Sequence, residues 1–236
     1  MGRVLSFDLS LNRARVESLN ERKAFLLLGG KGLGALYLYS ALRGKEDPLS
    51  PENPIIVSTG PLTGTIAPTG SKFSVVTKSP QTGIFLDSNC GGMFGVQLKR
   101  AGYDMLIVKG VAEEPSMLIV DENGAELRPC RLWGMTTFET IRELKKEFPD
   151  RGFLIIGPAG ERLAPIAGLL TDDARSAGRG GSGAVMGSKR LKAIVAGGGR
   201  PIEVYDAEGM KRAAWVVRRM LRLHEVTARS LPRHGT

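Results

Sequence analysis

Hydrophobic and polar residues alternate from Arg3 to Leu9, which predicts a strand; Ser10-Leu11-Asn12-Arg13 turns the chain and Ala14 to Leu19 returns as the second arm of a hairpin. Asn20 to Leu28 is apolar and helical until Gly29-Gly30 interrupts it, after which Leu33, Leu36, Tyr37 and Ser40 to Leu42 resume a helical period. Asp47-Pro48 and Ser50-Pro51 end that segment. Ile55 to Ser58 reads as a short buried strand entering Gly60-Pro61, and a Gly/Thr/Pro loop closes at Ala67-Pro68. Lys72 to Thr77 and Gly83 to Leu86 predict two more strands. Asp87-Ser88-Asn89-Cys90-Gly91-Gly92 reads as a loop, Gly91 to Arg100 as a helix opening at the glycine pair, and Tyr103 to Val108 as a closing strand.

The same order then recurs. Ser116 to Val120 and Ala125 to Arg128 predict a hairpin through the turn Asp121-Glu122-Asn123-Gly124, with its favoured Asn-Gly pair. Thr136 or Thr137 caps a helix with apolar positions Phe138, Ile141, Leu144 and Phe148. Phe153 to Ile156 is a strand entering Gly157-Pro158, the following loop closes at Ala164-Pro165, and Ile166 to Leu170 is the next strand. A glycine-rich loop, Ala174 to Ala184, precedes a helix from Ala184 to Arg190 and a last strand from Leu191 to Ala196. The shared punctuation (Gly60-Pro61 with Gly157-Pro158, Ala67-Pro68 with Ala164-Pro165) predicts an internal duplication, with repeats at about 1–112 and 113–200. In that arrangement the Asn89 and Ser176 loops are pseudo-symmetry mates that face one ligand. Beyond the Gly197-Gly198-Gly199 break, residues 201–236 begin a further helical region. Its helix, starting at Asp206, carries Met210, Ala213, Ala214, Val217, Met220 and Leu221 on one face and Lys211, Arg212, Arg218, Arg219 and Arg222 on the other. The apolar face asks for a partner domain or chain.

Both glycine loops suit an anionic guest. Glycine lets the backbone approach closely, the N–H groups at a helix start point toward negative charge, and Arg175 and Arg179 bring forked donors. The net charge of +9 over 236 residues fits an anionic partner. Sparse aromatics give single-stranded nucleic acid no specific support, and no apolar run is long enough to span a membrane, so the cytoplasm is the expected location. Cys90 and Cys130 are too few for a zinc or iron–sulfur set. Asp172-Asp173 precede the second loop and offer a weak cation site, capping and solvent exposure being the plainer readings. No Ser-His-Asp set, paired-carboxylate catalytic site or His/Cys metal cluster can be argued from the residues, which suits a binding domain better than a complete active site.

One pattern competes. Gly178 to Gly183 matches the dinucleotide-binding G-x-G-x-x-G, with Glu203 at a suitable distance, but that pattern must join a strand directly to a helix, and the polar segment Thr171 to Ser176 intervenes. Dinucleotide binding is therefore the runner-up.

The ordered segments Gly60-Pro61-Leu62-Thr63-Gly64-Thr65, Ala67-Pro68-Thr69-Gly70, Val75-Val76-Thr77-Lys78-Ser79-Pro80, Ala177-Gly178-Arg179-Gly180-Gly181 and Gly183-Ala184-Val185-Met186-Gly187-Ser188-Lys189 resemble the aldehyde ferredoxin oxidoreductase family, along essentially the whole chain. The resemblance implies a β-rich α+β N-terminal domain over 1–200 with internal pseudo-twofold duplication, followed by the first helix of a truncated C-terminal helical region. It implies a tungsten (rarely molybdenum) bis-pterin cofactor whose phosphates are bridged by magnesium. Carried over by motif position, Asn89 and Ser176 supply backbone carbonyls to that Mg²⁺, and Asn89, Gly91, Arg175 and Gly178 line the pterins, with Arg179 beside them. Lys72 stands where family members can carry arginine, so a forked contact becomes a point charge. Cys90, beside Asn89, is an expected oxidation-sensitive position.

The family reaction oxidises aldehydes to carboxylic acids with ferredoxin as electron acceptor. The ligands of the family's 4Fe–4S cluster are absent from this chain, so the resemblance implies missing C-terminal domains or a complementing chain, and inactivity alone. A homodimer is compatible with it. The reading from a different class is a non-catalytic interaction domain that kept the fold.

Overall fold

The computed structural model describes residues 2–235, so Met1 and Thr236, at the outer ends of the expected segments, lie outside the description. The first half contains β1 (Arg3–Asp8), β2 (Arg13–Ser18), α1 (Glu21–Leu27), α2 (Gly30–Ala41), β3 (Ile55–Thr59), β4 (Phe73–Lys78), β5 (Phe85–Cys90), α3 (Phe94–Arg100) and β6 (Met105–Lys109). The second contains β7 (Ser116–Asp121), β8 (Gly124–Pro129), α4 (Thr137–Glu147), β9 (Gly152–Ile155), α5 (Pro158–Glu161), β10 (Leu169–Thr171), β11 (Ser176–Ala177), α6 (Ser182–Ser188) and β12 (Leu191–Ala196). After it come α7 (Ala207–Leu223), a π-helical turn (Val226–Ser230) and α8 (Leu231–His234).

Each half builds one six-stranded sheet, in the order β2-β1-β6-β3-β4-β5 and β8-β7-β12-β9-β10-β11. The sense of pairing also matches. β1 runs parallel to β6 as β7 does to β12, and every other neighbour in both sheets is antiparallel. The fold is α+β with an internal duplication.

The layers follow from which faces are apolar. β3 and β12 are buried at every position, as strands covered on both faces must be. Outside the first sheet, Leu33 and Leu38 of α2 pack on Val4, Ile56, Val76 and Met105. Outside the second, Ile141 and Leu144 of α4 cover Met117, Ile119, Phe153 and Val195. Between the sheets lies one shared core containing Leu5, Val57, Phe73, Phe94, Leu118, Leu154, Val185 and Ile194. Both inner helices cross to the other half: α3 lies on β9 and β12, whereas α6 also reaches β3 and β4. That exchange requires close approach. A Cβ on Gly152 would stand 2.6 Å from the Phe94 Cα.

Three expectations are corrected here. The hairpin β7–β8 turns through Glu122-Asn123, because Gly124 already pairs with Asp121. Phe138 is exposed at the first turn of α4, whereas Ile141 and Leu144 farther along the helix are buried. Ile166 is exposed in the connection before β10, which starts only at Leu169. The apolar face of α7 stands uncovered, in keeping with the expectation that it needs a partner: on that helix Ala214 alone is buried, and Val217, Met220 and Leu221 are open. No helix is long and apolar enough to cross a membrane among the described residues.

Candidate cofactor cradle

The first site segment is not the loop that its polar residues suggest. β5 continues through Asp87, Ser88, Asn89 and Cys90, pairing with β4 from Phe85 to Cys90. Its burial alternates: Leu86, Ser88 and Cys90 face inward, while Asn89 faces out. The turn into α3 is confined to Gly91-Gly92-Met93. In the second half Ser176-Ala177 form the short strand β11, and Gly178 to Gly181 turn into α6.

Register fixes where the backbone of these strands points. The Ser79 N–H donates to the Ile84 carbonyl (2.8 Å), so Ser79/Ile84 is a bonded pair of the β4–β5 hairpin. Bonded and non-bonded pairs alternate along an antiparallel ladder. Thr77/Leu86, Val75/Ser88 and Phe73/Cys90 are therefore bonded pairs and Ser74/Asn89 is not. Since β5 is the outermost strand, the Asn89 N–H and C=O point away from the sheet. The same counting applies to the second half. The Thr171 N–H donates to the Arg175 carbonyl (2.8 Å), which makes Leu170/Ser176 the non-bonded pair. β11 is again outermost, and the Ser176 C=O also leaves its sheet. The two edges come together: β5 contacts β11, the Arg179 N–H donates to Ser88 Oγ (3.3 Å), and Ser79 Oγ donates to the Gly180 carbonyl (2.7 Å).

Side chains of both halves complete the surface. Asn89 is braced by Ser74, whose hydroxyl donates to Oδ1 (2.7 Å), while its own Nδ2 donates to Asp87 (3.2 Å). Arg175 runs past Gly91, where a Cβ would stand 3.3 Å from the arginine Cδ. Lys72 is exposed immediately before the Phe73/Cys90 pair, at the same end of the sheet as Gly91, and its carbonyl is held by the Thr63 hydroxyl (2.8 Å). Gly178 and Arg179 are exposed in the second turn. The structure thus gathers Lys72, Asn89, Gly91, Arg175, Ser176, Gly178 and Arg179 around the meeting edges.

The helix starts do not join them. Ser182 and Phe94 are fully buried, and Gly181 (φ +84°) is wedged between Pro80 and the Pro165 carbonyl. The expectation of N–H groups offered from a helix start fails for α6, which begins inside the core, whereas α3 opens at the exposed Met93. Cys90 is likewise buried in the shared core, and burial pushes its thiol pKa up, which argues against the expected oxidation sensitivity. Asp173 is engaged by Thr171 and Arg175 rather than standing open to a cation. Burial raises the pKa of Asp172. His224 ends α7 and His234 lies in α8, so neither is on an element of the cradle.

What sequence reasoning missed is Asp173's bond to Arg175 and the part of Ser74 in bracing Asn89. The first joins neighbours in one hairpin, and the second could be found only by registering β4 against β5.

The family model described as aldehyde ferredoxin oxidoreductase, N-terminal domain, matches residues 4–198. The tungsten-containing aldehyde ferredoxin oxidoreductase of Thermococcus kodakarensis is 42% identical over 238 residues, which cover 100% of this chain and 39% of that protein. The aliphatic sulfonate oxidoreductase WOR-like subunit of Pyrococcus furiosus is 37% identical over 89% of this chain and 36% of its own length. Among solved structures, the active-site complex BamBC of benzoyl coenzyme A reductase with 1,5-dienoyl-CoA superposes with a TM-score of 0.91 at 35% identity, covering 95% of this chain and 35% of that one. The chain therefore spans about two-fifths of the length of the curated relatives it matches. By matched extent and by fold, it belongs to the aldehyde ferredoxin oxidoreductase family of oxidoreductases, whose N-terminal domain it carries.

Proposed function

We propose that the meeting edges of β5 and β11 form one wall of a site for a tungsten (or molybdenum) bis-pterin cofactor. In this reading the Asn89 and Ser176 carbonyls would hold a Mg²⁺ ion associated with the cofactor phosphates, oxygen being the class of donor that this hard cation takes. The observation that carries the reading is the shared register: both residues occupy non-bonded positions of edge strands, so both carbonyls are free of their sheets. Arg175 and Arg179 supply forked donors to phosphate oxygens, and Lys72 a point charge. Gly91 and Gly178 let the flat pterins approach the backbone.

When bound, the metal supplies two-electron oxidation of an aldehyde to a carboxylic acid, with water as oxygen source. The protein's part here is to bind and orient the cofactor. Ferredoxin, and the 4Fe–4S cluster that relays electrons to it, belong to the rest of the enzyme, in missing C-terminal domains or a complementing chain. The chain alone is inactive in this reading, and its site is cytoplasmic.

The test is metal and pterin analysis of the full-length protein, or of the chain co-produced with its complement, in a tungstate-supplied host. The expected result is co-purified tungsten or molybdenum, pterin and magnesium, with all three reduced by Arg175→Ala. A folded complex without tungsten, molybdenum or pterin would sink the proposal in favour of a non-catalytic interaction domain, and NAD(P) binding would favour the dinucleotide reading.

A further inference from the structure

The Thr171–Arg175 hairpin contains an arrangement that an exposed ion pair does not need. Asp173 is held at both carboxylate oxygens: Oδ1 accepts from the Thr171 hydroxyl (2.6 Å) and Oδ2 from the Arg175 Nε–H (2.7 Å). Thr171 is fully buried and tied into the ladder with Arg175. From the other half of the molecule, Gly92 (φ +96°) lies against the same carboxylate; a Cβ there would stand 2.6 Å from Oδ1 and 2.9 Å from the Thr171 hydroxyl. The carboxylate, 41% of whose side chain stays open to solvent, is thus flanked by a buried hydroxyl on one side and a glycine backbone on the other. Arg175, its partner, crosses Gly91 with 66% of its side chain exposed.

We infer that Asp173 is the positioning residue for Arg175, fixing the guanidinium through Nε and leaving its two terminal amino groups free for phosphate oxygens. The inference rests on the reading of this surface as a phosphate-bearing cofactor cradle, and adds the group that orients its arginine. An unrestrained exposed arginine loses side-chain freedom when it closes on an anion, a cost that a pre-set side chain has already met. With Nε occupied, the outer edge of the fork remains for bidentate pairing. The carboxylate also stays charged near neutrality. Burial acts to raise its pKa, but the bonds from Thr171 and Arg175 outweigh burial and hold it below the ordinary aspartate value.

The probe is inorganic pyrophosphate, titrated calorimetrically into metal-stripped full-length protein. Asp173→Asn keeps an acceptor for Thr171 but turns an amide donor toward the Arg175 Nε–H. Losing one charge-assisted hydrogen bond predicts about tenfold weaker pyrophosphate binding. In the Arg175→Ala background the same change should alter affinity less than about twofold, because a residue acting through the arginine has nothing left to position. Equal losses in both backgrounds, no loss in either, or no pyrophosphate binding by the parent protein would each overturn the inference; thermal midpoints establish that every variant is folded. Tungsten and molybdenum content before stripping reports separately on the proposed function. Pyrophosphate coupling in a protein that never held either metal would support the positioning role and sink the cofactor reading.

Discussion

Lys189 ends α6 with its side chain 1% exposed, and its ammonium reaches only two backbone carbonyls, those of Pro51 (3.3 Å) and Gly110 (3.4 Å). Burial lowers its pKa from 10.5 to about 8, against the weaker pull of Glu52 and Asp8. Below pH 8 both the folded and unfolded chains carry this proton, and folding bears the cost of burying the charge. Between about 8 and 10.5 the unfolded chain binds more protons than the folded one, so this group makes stability rise with pH. At about 1.4 kcal/mol per pKa unit, the gain across that window is about 3 kcal/mol. The buried thiols of Cys90 and Cys130 act in the opposite sense, because burial raises their pKa values and the unfolded chain loses those protons first. Tyr37 and Tyr103, also raised by burial, do the same at the upper end. Lys189→Met isolates the lysine, since every other group is common to both proteins. Urea unfolding followed by circular dichroism at pH 7.5, 8.5, 9.5 and 10.5 should show the parent gaining about 3 kcal/mol relative to the variant over the series. Parallel stability curves would refute the reasoning, as would a parent that falls faster than the variant.

Four further outcomes are expected. Gly92→Ala places a methyl group against Asp173 and Thr171 at a left-handed backbone position, and should cost about 2 kcal/mol by chemical denaturation. Glu161→Ala strands the fully buried Lys192, leaving it only the Met135 carbonyl (2.8 Å), and should cost about 3–5 kcal/mol in the same assay. Thr136→Ala removes a complete capping box with Glu139 and should lower stability by about 1 kcal/mol, against no change for the exposed Phe138→Ser. At neutral pH, Cys90 and Cys130 should react with an aromatic disulfide reagent only as fast as the protein opens, and at once in denaturant, because both thiols are buried with raised pKa values.

The repeated punctuation made the fold readable. Gly60-Pro61 and Gly157-Pro158 end equivalent strands, the alternation of Arg3 to Leu9 located the first hairpin, and the apolar run Ser116 to Val120 with the turn that follows it located the second. β5 was harder because its inward positions beyond Leu86 are Ser88 and Cys90, and Ser88 is inward to accept the Arg179 N–H rather than to bury a hydrocarbon. A two-residue strand such as β11 carries no period at all. The site residues were visible as glycines and arginines. The free direction of the Asn89 and Ser176 carbonyls was not, since it depends on ladder parity and on both strands lying outermost. Nor could the grip of Asp173 be read, because Gly92, which flanks it, is distant in sequence.

The crossing of the inner helices has a consequence for how such a chain comes apart. A chain stopped after β6 would keep its own sheet but lose the β9–β12 surface on which Phe94 and Leu98 lie, while α6, now missing, would strip cover from β3 and β4. Neither copy is self-sufficient, and unfolding one half undresses the other. Melting should accordingly be a single event for everything up to β12, and a lone ancestral copy would have needed a twin to lend it a helix.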